Sequence, residues 1–351
     1  MNTSYKSFLV DLFVKDSNIT KYIFGINPVT SQIIKYVKVD AIIDEYTSKD
    51  EYYGIPIIHK LEEIDRNTII VNAIFFRFAT SVQIRLEKAG FNVIDIFSLI
   101  KYSGFDIDII HYNGISEIYT KERKAFDELL DRLSDIESKI ILTKLLDFRL
   151  NYNLSAMNGI PFDEENQYFE PFLSLNPTGE SFVDVGGFDG YTTLQFIKRC
   201  PLFNKVYFFE PGVDYLNKAR KLLSCYNNIE YIEAAVSEKR GSVYFSLNDS
   251  SSMMSESGGV SVNTEKIDDI ISEPVTFIKM DIEGSESLAI TGAINTIKQY
   301  HPRLAISVYH KPDDYIEIPK LVLSIRDDYD IYMRHYTEGV DETVMFFVPR
   351  N

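Results

Sequence analysis

The chain has 351 residues, with 36 Lys and Arg against 52 Asp and Glu, and a formal net charge of −16. This length suffices for two packed cores, and a hydrophobic fraction of 45% excludes disordered and fibrous proteins. Nucleic acids and anionic membranes bind basic surfaces, so we expect this acidic chain to bind neither. The two cysteines, Cys200 and Cys225, are too few for a disulfide framework and favour a reducing compartment.

We expect neither a targeting nor a membrane-spanning segment. Asp11 and Asp16 interrupt the apolar stretch at the N-terminus, which is not the pattern of a signal peptide. Apolar segments such as 69–76 are shorter than ten residues, whereas a spanning helix needs about 20. We therefore expect a soluble, cytoplasmic protein.

Short β-branched runs alternate with helical stretches over about the first hundred residues. The predicted strands are 21–25, 39–44, 68–72 and 91–96, with a loop and short strand at 53–58. The predicted helices are 29–36 and 78–89. Alternation of strands and helices implies a parallel sheet.

A helical segment follows, in which Leu129, Leu133, Ile136 and Ile140 have the spacing of an amphipathic stripe. We interpret it as a connector that packs on both domains, or alternatively as a dimer-forming helix, so that a homo-oligomer stays open. The predicted organisation is a Rossmann-like domain at 1–115, a helical linker at 116–172 and a larger α/β domain at 173–351.

Strands and helices alternate again in the last part of the chain. The predicted strands are 181–185, 205–209, 229–233, 275–280, 303–308, 331–334 and 344–348. The stretch 249–259, rich in serine and glycine, is predicted to be a loop.

A glycine-rich turn provides the strongest chemical signal. The strand 181–185 runs into Gly186, Gly187 and Gly190, after which a helix is predicted. Glycines let a backbone approach a ligand closely, and a helix N-terminus offers unpaired N–H groups. Glu210 follows Gly190 by 20 residues, at the end of the next strand, where a carboxylate can accept both ribose hydroxyls.

The cofactor of this turn is open between S-adenosylmethionine and NAD. The glycines follow Gly-Gly-x-x-Gly, not the Gly-x-Gly-x-x-Gly of dinucleotide-binding turns. Asp184 lies in the strand before the first glycine. A carboxylate there suits the ammonium of a methionine group and would repel a pyrophosphate. Both features favour S-adenosylmethionine.

A second strand–turn–helix unit spans 277–286. Asp281 and Glu283 fall at the carboxyl end of its strand, which is the edge where open α/β sheets bind ligands.

Five separated motifs resemble the FkbM family of S-adenosylmethionine-dependent methyltransferases. They are Asp184-Val-Gly-Gly-Phe-Asp-Gly190, Phe209-Glu-Pro211, Glu233-Ala-Ala-Val-Ser237, Ile278-Lys-Met-Asp-Ile-Glu-Gly284 and Ser307-Val-Tyr-His-Lys-Pro312. The resemblance covers about 167–349 and implies a class I methyltransferase fold, with a seven-stranded Rossmann-like sheet whose last strand is antiparallel. Members usually methylate hydroxyl groups, often on sugars or polyketides. Gly187 and Phe188 stand where many members have Ala-Asn.

The resemblance also implies roles for single residues. Asp184, Gly186, Gly187 and Gly190 would hold the methionine end of the cofactor, and Glu210 its ribose. Glu233 and Ala234 would lie near the adenine. Asp281 would face both the sulfonium and the acceptor.

Methyl transfer to a hydroxyl requires alignment and, for a weak nucleophile, a general base. Asp281 and His310 are the candidate bases, since both lie at predicted strand ends on the ligand edge, and an unperturbed imidazole titrates near 6.5. Tyr309, Lys311 and His335 are candidate substrate-binding residues, because tyrosine stacks on sugar rings and lysine neutralises acidic groups. Asp281, Glu283 and His310 have the chemistry of metal ligands, but no metal-binding spacing supports them, so no metal is predicted.

The first domain resembles the small Rossmann-like domain of nucleotide-sugar acetyltransferases over 23–29, 41–44 and 53–58. The resemblance implies either a second binding module for a nucleotide-sugar or a degenerate scaffold.

The sequence thus favours an S-adenosylmethionine-dependent O-methyltransferase acting on a hydroxyl of a small molecule, a sugar or a glycan precursor, as in cell-surface polysaccharide biosynthesis. The alternatives are an NAD-dependent oxidoreductase and a non-catalytic protein that binds nucleotide-sugar or S-adenosylmethionine.

Overall fold

The computed structural model describes residues 3–245, 254–255 and 260–350. Apart from 254–255, the loop predicted at 249–259 lies outside these residues. The chain forms two compact units. The first unit comprises Met1–Thr120, Leu142–Phe162 and Tyr336–Asp341, and the second comprises Lys121–Ile141, Asp163–His335 and Glu342–Asn351.

The first unit is an α/β structure built on one sheet. Its strands are β1 (Lys21–Phe24), β2 (Ala41–Ile43), β3 (Glu51–Tyr52), β4 (Ile55–Ile58), β5 (Ile69–Asn72) and β6 (Asn92–Asp95). Its helices are α1 (Thr3–Lys15), α2 (Pro28–Ile33), α3 (Ala79–Lys88) and α4 (Ile96–Ser103). The strand order is β3-β4-β2-β1-β5-β6, and all pairs are parallel except β3 with β4. The parallel sheet predicted for this region is confirmed.

Helix α2 begins at a well-formed cap. The Asn27 side chain accepts hydrogen bonds from the backbone N–H groups of Val29 and Thr30, and Pro28 occupies the first helical turn. Such a cap satisfies N–H groups that a helix start leaves without partners. The helix therefore starts directly after β1, as the sequence predicts.

The connecting helices are α5 (Ile115–Lys121), α6 (Arg123–Arg132) and α7 (Ile136–Asn151). The single stripe predicted from Leu129 to Ile140 is wrong, because α6 ends before Leu133, which is extended. Ser134 accepts a hydrogen bond from the backbone of Ile331 and donates one back to it. Leu129 and Leu133 are buried, whereas Ile136 is 77% exposed.

The second unit is built on a seven-stranded sheet. Its strands are β7 (Ser181–Val185), β8 (Lys205–Phe209), β9 (Ile229–Ile232), β14 (Phe277–Met280), β15 (Arg303–Ser307), β16 (Tyr329–His335) and β17 (Thr343–Pro349). Its helices are α8 (Tyr191–Arg199), α9 (Val213–Leu222), α10 (Ile267–Ile270), α11 (Glu286–Thr291), α12 (Ile294–Tyr300) and α13 (Asp314–Ile325). The order is β16-β17-β15-β14-β7-β8-β9, with β17 antiparallel to both neighbours. This is the sheet that the sequence predicts.

The second unit also contains a smaller sheet, which was not predicted from the sequence. It consists of β10 (Ala235–Val236), β11 (Gly241–Phe245), β12 (Met254–Ser255) and β13 (Val260–Glu265), in the order β10-β13-β11-β12. Much of β13 is exposed, so it lacks the continuous apolar run that marks a buried strand.

The centre of the large sheet locates the ligand edge. Strands β7 and β14 are buried along their whole length and pair in parallel. From β7 the chain continues outward to β8 and β9, and it later returns to β14 on the other side. Ligands of open α/β sheets bind at the carboxyl ends of strands where the order reverses in this way. Among the described residues, no helix is both long and apolar enough to cross a membrane.

Candidate functional site

The loops after β7 and β14 meet at Gly186. This glycine has a φ of +77°, and a Cβ built on it would lie 2.1 Å from the backbone oxygen of Asp281. Only glycine fits such a contact at a left-handed backbone. The backbone N–H of Asp281 donates to the carbonyl of Val185 at 3.1 Å. The predicted cofactor turn and the predicted catalytic carboxylate are therefore neighbours.

The glycine turn is tied to β8 and leads directly into α8. The backbone N–H groups of Gly186 and Gly187 both donate to the carbonyl of Phe209 at 3.0 Å. Gly190, with a φ of +90°, caps the N-terminus of α8. A Cβ built on Gly190 would lie only 3.1 Å from Ala219. The turn thus brings bare backbone and a helix start to the carboxyl edge of the sheet, a geometry that suits close approach of a polar ligand.

Asp184 lies beneath this turn and is fully buried. Its Oδ2 accepts a hydrogen bond from Thr193 at 2.7 Å, and its Oδ1 lies 3.2 Å from Nζ of Lys279. The Lys279 ammonium also donates to the carbonyl of Gly186 at 2.6 Å. In this structure the Asp184 carboxylate therefore holds the turn through Lys279 and Thr193.

Glu210 ends β8 beside the turn and is buried. Its Oε2 accepts from the backbone N–H of Phe188 at 3.0 Å, and its Oε1 accepts from that of Gly212 at 2.7 Å. Burial raises the pKa of Glu210, while these two hydrogen bonds oppose the rise. Each carboxylate oxygen keeps a second lone pair that can accept a hydroxyl.

Glu233 and Ala234 follow β9, which is the neighbour of β8 in the sheet. Glu233 is exposed and Ala234 is buried. Both lie at the carboxyl end of their strand, as do Gly186 and Glu210 for theirs.

Asp281 follows β14, and a quarter of its side chain is exposed. Its Oδ2 accepts a hydrogen bond from the hydroxyl of Tyr168 at 2.8 Å. Its Oδ1 lies 3.5 Å from the hydroxyl of Tyr309 and 3.5 Å from Nε2 of His310. Burial alone would raise the pKa of Asp281, but Lys279, His310 and hydrogen bonding together lower it below the ordinary value. Asp281 is therefore ionised at neutral pH.

His310 is surrounded by carboxylates. Its Nδ1 lies 2.9 Å from Oε1 of Glu286, and its Nε2 lies 3.8 Å from Oε2 of Glu283. Burial alone would lower the pKa of His310, but Glu286, Asp281 and Glu283 raise it to about 10. The imidazole is therefore protonated at neutral pH. An unperturbed imidazole, as expected from the sequence, is therefore wrong, because the fold brings three acids to His310.

Glu286 organises the loop after β14. Besides facing His310, its Oε1 accepts from the backbone N–H of Ile282 at 2.9 Å and lies 3.4 Å from that of Gly284. One ligand atom each of Asp281, Glu286 and His310 lies within 4.8 Å of the other two, a spacing that a metal ion could also span. Because Oε1 of Glu286 already accepts from backbone N–H groups and faces His310, we interpret the three side chains as an ion-paired cluster.

The remaining predicted substrate residues differ in burial and in their contacts. Tyr309 is buried and touches Asp281, as described above. Lys311 is exposed, and its backbone N–H donates to Asp314 at 2.7 Å. His335 is buried in β16, with Nδ1 2.8 Å from the hydroxyl oxygen of Thr343 on the paired strand β17. That contact is within the hairpin of the last two strands.

Three residues of the site were missed from the sequence. Lys279 and Glu286 lie in the same stretch as Asp281, and a buried lysine inside a strand was a usable signal, because such a lysine needs a partner. Tyr168 lies at the start of the region of resemblance, and nothing in its neighbourhood connects it to Asp281, 113 residues later. Only the fold shows that contact.

Comparison with known proteins agrees with this geometry. Residues 184–335 match the family model of the methyltransferase FkbM domain. That range contains Glu210, Asp281 and His310, so the predicted FkbM resemblance is confirmed for this domain. Comparison with curated proteins finds no match for the chain. The predicted likeness of the first unit to acetyltransferase domains finds no confirmation.

One solved structure shares the fold along nearly the whole chain. The methyltransferase FkbM from Methylobacillus flagellatus KT is 24% identical, with 98% of this chain and 93% of that chain covered and a TM-score of 0.78. An rRNA methylase from Streptococcus thermophilus is 16% identical, with 51% of this chain and 92% of that chain covered and a TM-score of 0.35. Fibrillarin from Aeropyrum pernix, in complex with S-adenosyl-L-methionine, is 11% identical, with 52% of this chain and 76% of that chain covered and a TM-score of 0.35.

Proposed function

We propose that this protein is an S-adenosylmethionine-dependent O-methyltransferase. The observation that carries the proposal is the meeting of the glycine turn with the Asp281 loop at Gly186. A cofactor held by the turn would present its reactive end beside a carboxylate that is ionised and partly exposed. The FkbM domain match over 184–335 supports methyl transfer as the reaction.

The residues around the turn fit the cofactor. Gly186 and Gly187 leave no side chain over the turn, and the two oxygens of Glu210 retain lone pairs for the ribose hydroxyls. Glu233 and Ala234 are proposed to line the adenine. Asp184 is proposed to act on the methionine end by fixing the turn through Lys279. When bound, S-adenosylmethionine supplies a methyl carbon made electrophilic by its positive sulfur.

Asp281 is proposed as the general base. Its Oδ1 would take the proton of the acceptor hydroxyl as the oxygen attacks the methyl carbon, and a base positioned in this way contributes about 10²–10⁴-fold. His310 is proposed to act as a cation, because its pKa of about 10 keeps it protonated. It would keep Asp281 ionised before the reaction, and it is held in place by Glu286 through Nδ1.

The acceptor is proposed to be a sugar or glycan hydroxyl or a related small molecule. Support comes from Tyr309, whose hydroxyl lies 3.5 Å from Oδ1 of Asp281 and whose ring is of a kind that stacks on sugars. The exposed Lys311 would meet an acidic group of the acceptor. His335 remains a proposed substrate residue, and its Nδ1 lies 2.8 Å from the hydroxyl oxygen of Thr343. Nucleic acid remains an unexpected partner at a net charge of −16.

For the first unit, nucleotide-sugar binding remains a proposal. The order of its sheet reverses at β1 and β5, whose carboxyl ends would form the binding edge. At that edge, Oε2 of Glu338 accepts from the backbone N–H of Ser81 at 2.7 Å, and Oε1 accepts from the Ser81 hydroxyl at 2.5 Å. A phosphate at the start of α3 would have to replace this carboxylate. Titration with UDP-sugars would detect binding, and its absence would favour a scaffold.

Methyl transfer is tested with S-adenosylmethionine labelled in the methyl group and a panel of sugar, glycan and small-molecule hydroxyl acceptors. The account expects labelled product from the wild type and a loss of about 10²–10⁴-fold in Asp281→Asn. Equal activity of the variant would contradict the role of Asp281. Binding of NAD instead of S-adenosylmethionine would favour an oxidoreductase, and binding without transfer to any acceptor would favour a non-catalytic protein.

A further inference from the structure

Tyr168 reaches Asp281 from a segment that precedes the large sheet. The residue is buried, and its hydroxyl donates to Oδ2 of Asp281 at 2.8 Å. Its backbone has a φ of +71°, which is uncommon for an aromatic residue. Surrounding contacts must therefore hold Tyr168 in a conformation that it would not favour by itself.

The Tyr168 hydroxyl is held from more than one side. Nε2 of Gln167 donates to it at 2.9 Å, and the same amide donates to Glu342. The Ser307 hydroxyl oxygen lies 3.3 Å away. Because Gln167 supplies a hydrogen to the phenol oxygen, the hydrogen of the phenol is available for Asp281. Burial, with Asp281 and Glu342 nearby, raises the pKa of Tyr168 well above its ordinary value, so the phenol stays protonated.

These contacts make the two oxygens of Asp281 unequal. Oδ2 accepts a short hydrogen bond from Tyr168, whereas the contacts of Oδ1 with Tyr309 and His310 are longer, at 3.5 Å. We propose that Tyr168 is a positioning residue, which fixes Oδ2 of Asp281 and so leaves Oδ1 to take the proton of the acceptor. This inference rests on the proposed function, in which Asp281 is the base.

Charged and polar groups from several elements surround Asp281. Lys279 from β14 and His310 from the segment after β15 favour the ionised carboxylate, and a hydrogen bond from Ser307 of β15 lowers its pKa further. Glu286 of α11 brings a carboxylate oxygen within 4.8 Å, and Glu283 of the loop after β14 faces His310. Tyr168, from the segment before β7, adds a hydrogen bond to the ionised form. Loss of that hydrogen bond is expected to raise the pKa of Asp281 even though both cations remain.

The test measures the carboxyl group directly and needs neither cofactor nor acceptor. Protein labelled with ¹³C at the aspartate side-chain carboxyls is titrated by NMR, and the Asp281 signal is assigned with Asp281→Asn. In Tyr168→Phe the midpoint of Asp281 should rise by about one to two pH units, the size expected for a hydrogen bond to a charged group. Tyr329→Phe is the matched control, because Tyr329 is also buried and donates one hydrogen bond, to the carbonyl of Pro302. In Tyr329→Phe, the titration midpoint of Asp281 should equal that of the wild type.

An unchanged midpoint in folded Tyr168→Phe would overturn the inference. If Tyr168→Phe does not fold, the titration of the wild type is the test. An Asp281 midpoint at or above about 3.9, the ordinary aspartate value, would overturn the inference. Because the titration uses no S-adenosylmethionine, a failure of methyl transfer would leave its result standing. With an active acceptor, the acidic limb of the rate profile of Tyr168→Phe should move to higher pH by the same amount.

Discussion

Lys279 and Asp184 form a buried ion pair under the glycine turn, with Nζ and Oδ1 3.2 Å apart and both side chains almost fully excluded from solvent. The pair joins the two central strands, because Asp184 belongs to β7 and Lys279 to β14. Lys279 extends the connection to the carbonyl of Gly186. The shape of the turn therefore depends on a charge in the neighbouring strand.

Removal of one partner of this pair should be costly. In Lys279→Met the Asp184 carboxylate would stay buried without its cation, and such a loss typically costs about 3–5 kcal/mol. The free energy of unfolding from urea denaturation measures this cost. As a control, Lys205→Met breaks the more exposed pair of Lys205 with Glu230 and should cost about 1 kcal/mol or less. Similar costs for both variants would contradict the importance of the buried pair.

Gly186 should tolerate no side chain. In Gly186→Ala a Cβ would meet the Asp281 backbone oxygen at 2.1 Å at a φ of +77°, so we expect unfolding or a displaced Asp281 loop. Gly179→Ala is the matched control, because Gly179 has a φ of +84° but nothing within 4 Å of its Cβ position. That variant should lose only about 1–2 kcal/mol from the left-handed backbone. Equal stability of the two variants would show that the close approach at Gly186 has no effect.

The raised pKa of His310 predicts a pH dependence of stability. Its pKa is about 10 in the folded protein against 6.5 for a free imidazole. The stabilisation from its proton is therefore complete below pH 6.5 and is lost as pH rises through 10. Wild type and His310→Gln are compared by denaturation between pH 6 and 10.5. The difference in free energy of unfolding should shrink with rising pH, by an amount on the order of 4 kcal/mol.

A pH-independent difference between the two proteins would show that folding does not raise the pKa of His310, which would then be neutral above about pH 7. His310 would then be available as a base, as the sequence alone suggested, and the assignment of that role to Asp281 would have to be revised.

Asp314 should also make stability fall with rising pH, but because its charged form is unfavourable in the folded protein. Burial, with Glu286 nearby, raises its pKa to about 7, so the folded state holds a proton that the unfolded state releases above about 3.9. Stability from this group is present at low pH and is lost as pH rises through 7. We expect Asp314→Asn to be more stable relative to wild type at pH 8 than at pH 5, measured by thermal unfolding in both buffers. No change in the relative stability would contradict the raised pKa.

The large sheet could be predicted from sequence because its central strands are continuous apolar runs. The observed β7 and β8 have the predicted bounds, and the strand order follows from the resemblance to FkbM methyltransferases. Strands of the small sheet were missed, since β13 alternates little and is mostly exposed. Buried apolar runs carry a signal that half-exposed strands lack.

Long-range contacts explain the other misses. The break between α6 and α7 arises where Leu133 and Ser134 run beside β16, almost 200 residues later. Periodicity reports helical faces but contains no information on that partner. The same holds for the site: the glycine turn and Asp281 could be found from motifs, whereas the contacts of Tyr168 with Asp281 and of His310 with three acids depend on the fold.

The most direct test of the proposed function is calorimetric titration with S-adenosylhomocysteine and, separately, with NAD. The account predicts micromolar binding of S-adenosylhomocysteine and none of NAD. It also predicts that Glu210→Ala loses the binding, since the ribose acceptor is gone and the N–H groups of Phe188 and Gly212 lose their partner. Binding of NAD without S-adenosylhomocysteine, or binding that is unchanged in Glu210→Ala, would contradict it.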